Sequence, residues 1–571
     1  MNMAVPIPSV SITVQDGQLS TADLTKRPIA VVGCSSAGTV DTPTLCANTT
    51  QLADFGEGPA ISLASKILKD GKCRVLFVRT TAGQAKSIGS ASHTGTGTSV
   101  LTVTGTPKAK YSLKVTATSS VTVGSGTFTI TYSLDGGTTT SDAVTMPNAS
   151  PSTYDIPGTG LNLSFGAGTI VSTDTFTSTI SNGAALSSVT LTGTGDAMTV
   201  SGTPNDAYDV QVLVTRSGTP GTAPYPGIQV SLDGGVNFNG EVRLTATTYL
   251  VPSTGITLTF GGDVVEGDTY DFASTGPAWA NANVSTALTA LQNTTKDFQL
   301  IALAGQLNTT LFSTISTALE TFADAGKYVR ILTESPDQGA FPTESMWMDV
   351  LDAGWGALSG KRIVVCAGDE QISSPSSNAD LSGFAETRSC LWSAAAQAAF
   401  VSIATDLAWV GLGPLPGVLE IDHDERQNEG LNADRFLTTT TLPTLGDQVY
   451  ICNPITFAPN GSDFDLLQNG RVMDEACRVT RQFFTSRLSS SVRLDPQTGY
   501  IREADAQTLE LKCNAALSAS LITTRQASGS SVTVSRTDAI ASTRTLTVVV
   551  KVVPLGYIKT VEETIGFSTT L

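Results

Sequence analysis

Only two histidines occur in the 571 residues, and one of them, His423, stands in a polar cluster, LEIDHDERQNEGLNADRF (Leu419 to Phe436). Flanked by Asp422 and Asp424, its imidazole could serve as a general base or join carboxylates around a metal ion. The other histidine, His93, is remote in sequence, so no histidine pair forms. Asp422, Asp424, Glu425 and Glu429 lack the glycine and the spacing of an EF-hand loop. A solvated or interface ion-pair segment is the reading these residues favour.

A second candidate is VVGCSSAG (Val31 to Gly38), a small-residue turn after an apolar strand. It has neither the Lys-Ser/Thr of a phosphate-binding loop nor the three-glycine spacing of a dinucleotide fingerprint, and reads as a tight turn. Gly-x-Ser-x-Gly is absent, and no Cys-His arrangement stands out. The eight cysteines are scattered without a C-x-x-C pair and read as buried free thiols. The expectation is therefore no enzyme, no cofactor and no metal.

The elements around these residues fall into two grammars. RPIAVVGCSS (from Arg27) and CRVLFVRTTAG (from Cys73) are buried strands, separated by GPAISLASKILKDG, an amphipathic helix stopped by Gly71. The same alternation resumes after residue 278. NVSTALTALQ is helix, DFQLIALAG strand, TTLFSTISTALETFADAG helix and KYVRILTE strand. ESMWMDVLDAGWGAL is helix, KRIVVCAG strand, and AETRSCLWSAAAQAAFVSIATDLAW one long helix. Strands alternating with helices predict an α/β core.

Between the two halves lies a stretch, residues 92–276, that holds none of the five tryptophans and none of the cysteines. It is duplicated. LTVTGTPKAKYSLKV (Leu101 to Val115) parallels MTVSGTPNDAYDVQV (Met198 to Val212). YDIPGTGLNLSFGAG (Tyr154 to Gly168) parallels YLVPSTGITLTFGGD (Tyr249 to Asp263), and SLDGG and the DTF/DTY triplets also recur. Period-two alternation and Asp-Gly-Gly hairpin chemistry predict two tandem immunoglobulin-like β-sandwiches inserted in a loop of the core. Their tyrosines fall at alternating strand positions, where core packing explains them before sugar binding does. With five basic against thirteen acidic residues, the insert suits an outer, solvated surface.

The remainder reads as a C-terminal α+β region. QNGRVMDEACRVTRQFFTSRLSSS and GYIREADAQTLELKCNAALSASLI are helices, followed by strands running to the last residue. The expected division is 1–22 (extended arm), 23–91 and 278–413 (core), 92–185 and 186–277 (inserts), 414–554 (C-terminal domain) and 555–571 (extended arm). A net charge of −17 argues against nucleic acid as a partner. No apolar run is long enough to span a membrane, and no secretory signal is visible.

The flanks carry a resemblance. SVSITVQDGQLS, then RPIAVVGCSSAGTVDTPTLCANTTQLADFGEG and ISLASKILKDGKCRVLFVRTTAG, resemble the opening of contractile phage tail sheath proteins. NGRVMDEACRVTRQFF and TVVVKVVPLGYIKTVEETIGF resemble their end. The resemblance covers roughly residues 5–90 and 280–571, and rests on the order of the motifs rather than on any one of them. It implies a structural subunit that polymerises with itself, in six-fold rings or a helix, around a tail tube protein. Contraction would follow a baseplate signal, with a tail terminator protein as a further partner. It also implies a place in the virion after assembly in the host cytoplasm.

From the residues and the resemblance together, two apolar-studded arms are expected to join neighbouring subunits by strand addition. The anchors are Ile12 and Val14 in one arm, and Val561, Ile565 and Phe567 in the other. The resemblance further implies that a C-terminal helix faces the tube, through Arg502, Glu503, Asp505, Glu510 and Lys512. A tube or decoration protein, or a carbohydrate-binding adhesin, are the other readings.

Overall fold

The computed structural model describes residues 26–563 and 565–567. It is a mixed α/β protein with many sheets. At its centre is a six-stranded sheet built from β1 (Ile29–Cys34), β2 (Thr44–Cys46), β3 (Val75–Thr80), β4 (Leu300–Gln306), β5 (Arg330–Glu334) and β6 (Ile363–Cys366). The order is β2-β3-β1-β4-β5-β6, parallel except for the antiparallel edge strand β2.

Both faces of this sheet are covered, which is why its strands are apolar runs without alternation of polarity. Ile29, Val31, Val75, Phe77 and Leu300 pack into one cluster with α1 (Pro59–Lys69). Ala30, Val32, Leu76, Val78 and Ile301 point into the opposite cluster. There they meet α2 (Asn281–Asn293), α3 (Thr309–Asp324) and α4 (Glu344–Trp355). The period-two alternation of a strand thus divides one sequence between two cores.

α1 is not amphipathic in place. Ala60 through Leu68 are all buried, because α5 (Leu391–Phe400) covers the side the sequence leaves to solvent. Even Lys66 is enclosed, its Nζ held by Asp70 (2.9 Å) and the carbonyl of Pro416 (2.7 Å). The expected long helix from Ala385 to Trp409 is also corrected. Ala385–Ser389 forms a strand, β8, antiparallel to β7 (Asp369–Ser373), and only Leu391–Phe400 is helical. Sheet pairing on one side, and the Arg388 ion pairs described below, outweigh local helix propensity. β9 (Val418–Ile421) completes that small sheet, and β10 (Thr439–Leu442) pairs with β11 (Gln448–Ile451).

Between β3 and α2 the chain forms two successive pairs of antiparallel sheets. Leu101–Gly105, Tyr111–Ala117, Phe128–Ser133, Leu161–Phe165 and Thr175–Ser181 recur as Met198–Gly202, Asp209–Arg216, Gly227–Ser231, Ile256–Phe260 and Thr269–Thr275. In each copy a three-stranded sheet faces a larger one across a shared apolar layer, as where Phe165 meets Phe128 and Phe176 edge-on. Asp174 and its counterpart Asp268 are buried and accept the backbone N–H groups of Thr96 and Gly97, and of Thr194 and Gly195.

The repeated SLDGG is a staple rather than a tight hairpin. Ser133 donates to Asp135 at 2.6 Å and Ser231 to Asp233 at 2.7 Å, while the N–H groups of Gly137 and Gly235 return to the serine oxygens. Both glycine pairs have positive φ, from 71° to 108°. The strand that follows pairs only from Val144 in the first copy and Val242 in the second.

The last region joins α6 (Leu467–Thr485) and α7 (Glu503–Leu517) to a ribbon of β12 (Gly529–Val534) and β13 (Val548–Val553). The expected strand over the final segment is not there in the described residues, which have no regular structure after Val553. Six of the eight cysteines are buried, and Cys452 and Cys477 are half-buried.

Candidate functional site

The segment after β13 leaves the body at a defined point. Leu555 packs on the apolar cluster of α6, α7 and the ribbon. The Tyr557 hydroxyl donates to the Ala404 carbonyl at 2.8 Å, and Lys559 Nζ reaches Asp406 at 2.6 Å and Asn453 at 2.9 Å. Ile558, between these anchors, is 85% exposed, and beyond them so are Val561 at 69%, Ile565 at 90% and Phe567 at 113%. Of the residues expected to anchor arms, Ile12 and Val14 lie outside the described residues.

The ribbon beside this exit is two-stranded, so β12 and β13 each have an outer edge that pairs with no further strand among the described residues. Val548, Val550 and Val552 turn towards α6 and α7, while Val549 and Val553 are exposed. A backbone edge of this kind can accept another strand.

The charged residues of α7 are spoken for unequally. Glu503 and Glu510 both pair with Arg536, from the loop after β12 (2.9 Å for Glu503), and Asp505 pairs with Arg493 at 2.7 Å. These hydrogen bonds hold all three carboxyls below their usual range. Arg502 is the N-cap residue, exposed, with its Nε on the Leu494 carbonyl at 3.2 Å. Lys512 is exposed beside Leu511, itself 72% exposed.

The run around His423 is partly solvated, with Asp422, Arg426, Gln427 and Glu429 exposed, but the His423 side chain itself is completely buried. Its Nδ1 meets Glu344 of α4 at 2.7 Å and its Nε2 meets Glu425 at 3.1 Å, with Trp347 edge-on at 5.6 Å. Burial opposes the charge, but the two carboxylates outweigh it and raise the imidazole above its ordinary value. A carboxylate on each nitrogen favours the charged ring and makes a buried clasp in which both nitrogens are already taken. Among the described residues no group of three or more His, Cys, Asp or Glu is arranged to hold a metal ion. In the Val31 to Gly38 turn, the N–H groups of Ser36 and Ala37 are taken by the carbonyls of Glu57 and Phe55. Gly38, at φ 89°, lies so close to Phe55 that a Cβ would sit 2.4 Å from its ring.

What sequence reasoning missed is a cleft of about 1710 Å³ at the carboxyl ends of the central strands, roofed by both inserted sandwiches. Neither sandwich is pendant. The first is continuous with the core's apolar cluster, and the Tyr111 hydroxyl donates to the Ala340 carbonyl at 2.6 Å. The second is clasped by Arg388 of β8, whose guanidinium meets both oxygens of Asp206 (2.9 and 2.6 Å) and Glu386 (3.0 Å) and stacks on Trp392. Burial works against that charge, yet Asp206 and Glu386 hold Arg388 more firmly protonated.

The floor of the cleft carries Glu334, Asp337 and Asp369. Burial first, then Asp337, push Glu334 well above the ordinary carboxyl range; burial, Asp337 and Asp422 do the same to Asp369. Burial also raises Asp337. These three come from separate strand ends and a turn, with no common spacing that a sequence motif could capture.

Comparison with known proteins gives the following. A family model described as the DUF2586 C-terminal domain matches residues 463–571. No curated protein matches the chain. Among solved structures, the chain is similar to a sheath tail protein from Desulfitobacterium hafniense at 12% identity and a TM-score of 0.41, over 96% of this chain and all of that one. A sheath tail protein from Listeria innocua gives 11% identity and 0.41, over 94% and 97%. The helical sheath of the anti-feeding prophage in its contracted state gives 13% and 0.36, over 53% and 78%.

Proposed function

We propose that this chain is the structural subunit of a contractile tail sheath. It polymerises with itself around a tail tube, in six-fold rings or a helix, and contracts on a baseplate signal to drive the tube through a host envelope. The virion is its final place, after assembly in the host cytoplasm. In this reading 23–91 and 278–413 are one core domain, 92–185 and 186–277 are immunoglobulin-like inserts, and 414–554 is the C-terminal domain. The segments 1–22 and 555–571 are the arms.

The observation that carries the proposal is the exit segment. It is pinned at Tyr557 and Lys559 and then presents Val561, Ile565 and Phe567 to solvent, beside a ribbon whose two outer edges pair with no further strand among the described residues. Exposed apolar side chains on an extended segment, next to open backbone edges, suit strand exchange between copies. The resemblance of both flanks to sheath proteins supports the same reading.

Electron microscopy of the purified protein tests it. Wide-lumen tubes or stacked rings are the expected result. Narrow tubes without a lumen for a second protein would point to a tube protein. A dispersed monomer that binds glycans would point to an adhesin, and either outcome overturns the proposal.

A further inference from the structure

Four of the five tryptophans, Trp279, Trp347, Trp355 and Trp392, are buried. The fifth, Trp409, is 59% exposed, and Val410 beside it is exposed as well. Both belong to one tight turn, Val410–Leu412 with Trp409 at its head. The turn is fixed from either side: Leu407 before it and Leu415 after it are buried in an apolar cluster of the core, and Leu412 packs against the same cluster. The N–H of Leu412 donates to the Trp409 carbonyl at 3.0 Å, that of Gly413 to the Val410 carbonyl at 3.0 Å, and that of Leu415 to the Val449 carbonyl at 2.9 Å. The indole is braced against its own turn, where a Cβ at Gly411 would lie 2.7 Å from the ring. A tryptophan held this way has little freedom left to lose when its open face is covered.

The same turn is tied to the exit segment. The Asp406 carboxylate accepts the Ala408 N–H at 2.9 Å and Lys559 Nζ at 2.6 Å, and the Asp406 carbonyl accepts the Trp409 N–H at 3.1 Å. Tyr557 is bound to the Ala404 carbonyl on the same stretch. Along the chain, Trp409 is at most about 11 Å from Asp406, and Val561 at most about 7 Å from Lys559. A standard interface covers about 800 Å² on each partner, a patch roughly 30 Å across. Whatever buries Val561 at the root of the segment therefore has Trp409 within its footprint.

We propose that Trp409 and Val410 are the fixed half of a contact whose extended half is the exit segment, and that a second copy of this chain covers both. The inference rests on the reading of the chain as a self-polymerising subunit. The segment supplies reach and backbone pairing; the turn supplies a rigid aromatic anchor at its root, of the kind that carries most of the energy in an interface. The turn meets a different patch of the neighbour rather than its own counterpart, as a contact that builds a ring or a helix requires.

Fluorescence and sedimentation test this on the full chain. In the free subunit Trp409 is the indole that acrylamide reaches, because the other four are buried, and in sedimented polymers that quenching should be lost. Trp409→Ala should need a concentration about thirtyfold higher to polymerise, the loss expected of a hot-spot tryptophan. Its melting temperature should stay close to the parent's. Polymers in which Trp409 is quenched as in the free subunit overturn the inference and leave the sheath reading standing. So does Trp409→Ala polymerising at the parental concentration. Protection that appears only when a tube protein is added assigns the turn to the tube and overturns the inference as well. If no polymer forms under any condition, the sheath reading and this inference fall together. Should Trp409→Ala fail to fold, quenching of the unaltered protein decides the matter.

Discussion

Replacing Ile565 and Phe567 together by alanine separates assembly from folding. In the subunit these side chains are 90% and 113% exposed, so they contribute almost nothing to its stability. The melting temperature should stay within the change expected of surface substitutions, about 0.5 kcal/mol. In a lattice that buries both, Ile→Ala removes three carbons at about 0.8 kcal/mol each, and Phe→Ala removes roughly 2–3 kcal/mol more. The ordering cost of the backbone is common to the variant and the parent and cancels in the comparison. The difference is then roughly 4.5–5.5 kcal/mol per link if burial is complete, or several thousandfold in the association constant. Calorimetry reads the first quantity, and sedimentation with microscopy across a concentration series reads the second. Keeping Tyr557 and Lys559 leaves the anchor on Ala404 and Asp406 intact. A double variant that polymerises at the parental concentration refutes the arm as a link. A variant that melts several degrees lower shows instead that the segment belongs to its own subunit.

Three further outcomes follow from the geometry. Asp206→Ala leaves Arg388 with Glu386 alone in a buried site; breaking such a pair costs about 3–5 kcal/mol, and exchange should quicken in the second sandwich before the first. His423 gains its two carboxylate partners on folding, so its contribution is complete below about pH 6.5 and declines as pH rises through the raised value; melting curves of His423→Gln should lack that alkaline decline. Charge reversal at Arg502 and Lys512, both exposed, should weaken co-assembly with a tube protein without changing the melting temperature, whereas reversal at Glu510 should destabilise the subunit by breaking its pair with Arg536; unchanged co-assembly at every salt concentration counts against a tube-facing α7.

The local grammar of this protein is legible in its residues alone. Apolar runs such as Ile29–Cys34 and Ile363–Cys366 read as strands covered on both faces, and the duplicated SLDGG marks glycines with positive φ wherever the chain later places them. It also marked Val561, Ile565 and Phe567 as apolar residues on a polar segment, though only the coordinates show them uncovered. Tertiary structure decided everything that depends on which surfaces meet. Ala385–Ser389 became a strand because β7 offered it an edge, against its own helical pattern. His423 became a buried clasp between two carboxylates because α4 brought Glu344 to its second nitrogen, 79 residues away in sequence. Arg388 and Asp206 lie 182 residues apart, and the acidic floor draws on two separate chain segments, Glu334 with Asp337 on one and Asp369 on the other. Periodicity reports the environment of one element averaged over its length. Burial of a charge, and the partner that makes it tolerable, is set by non-local packing that no window of sequence contains.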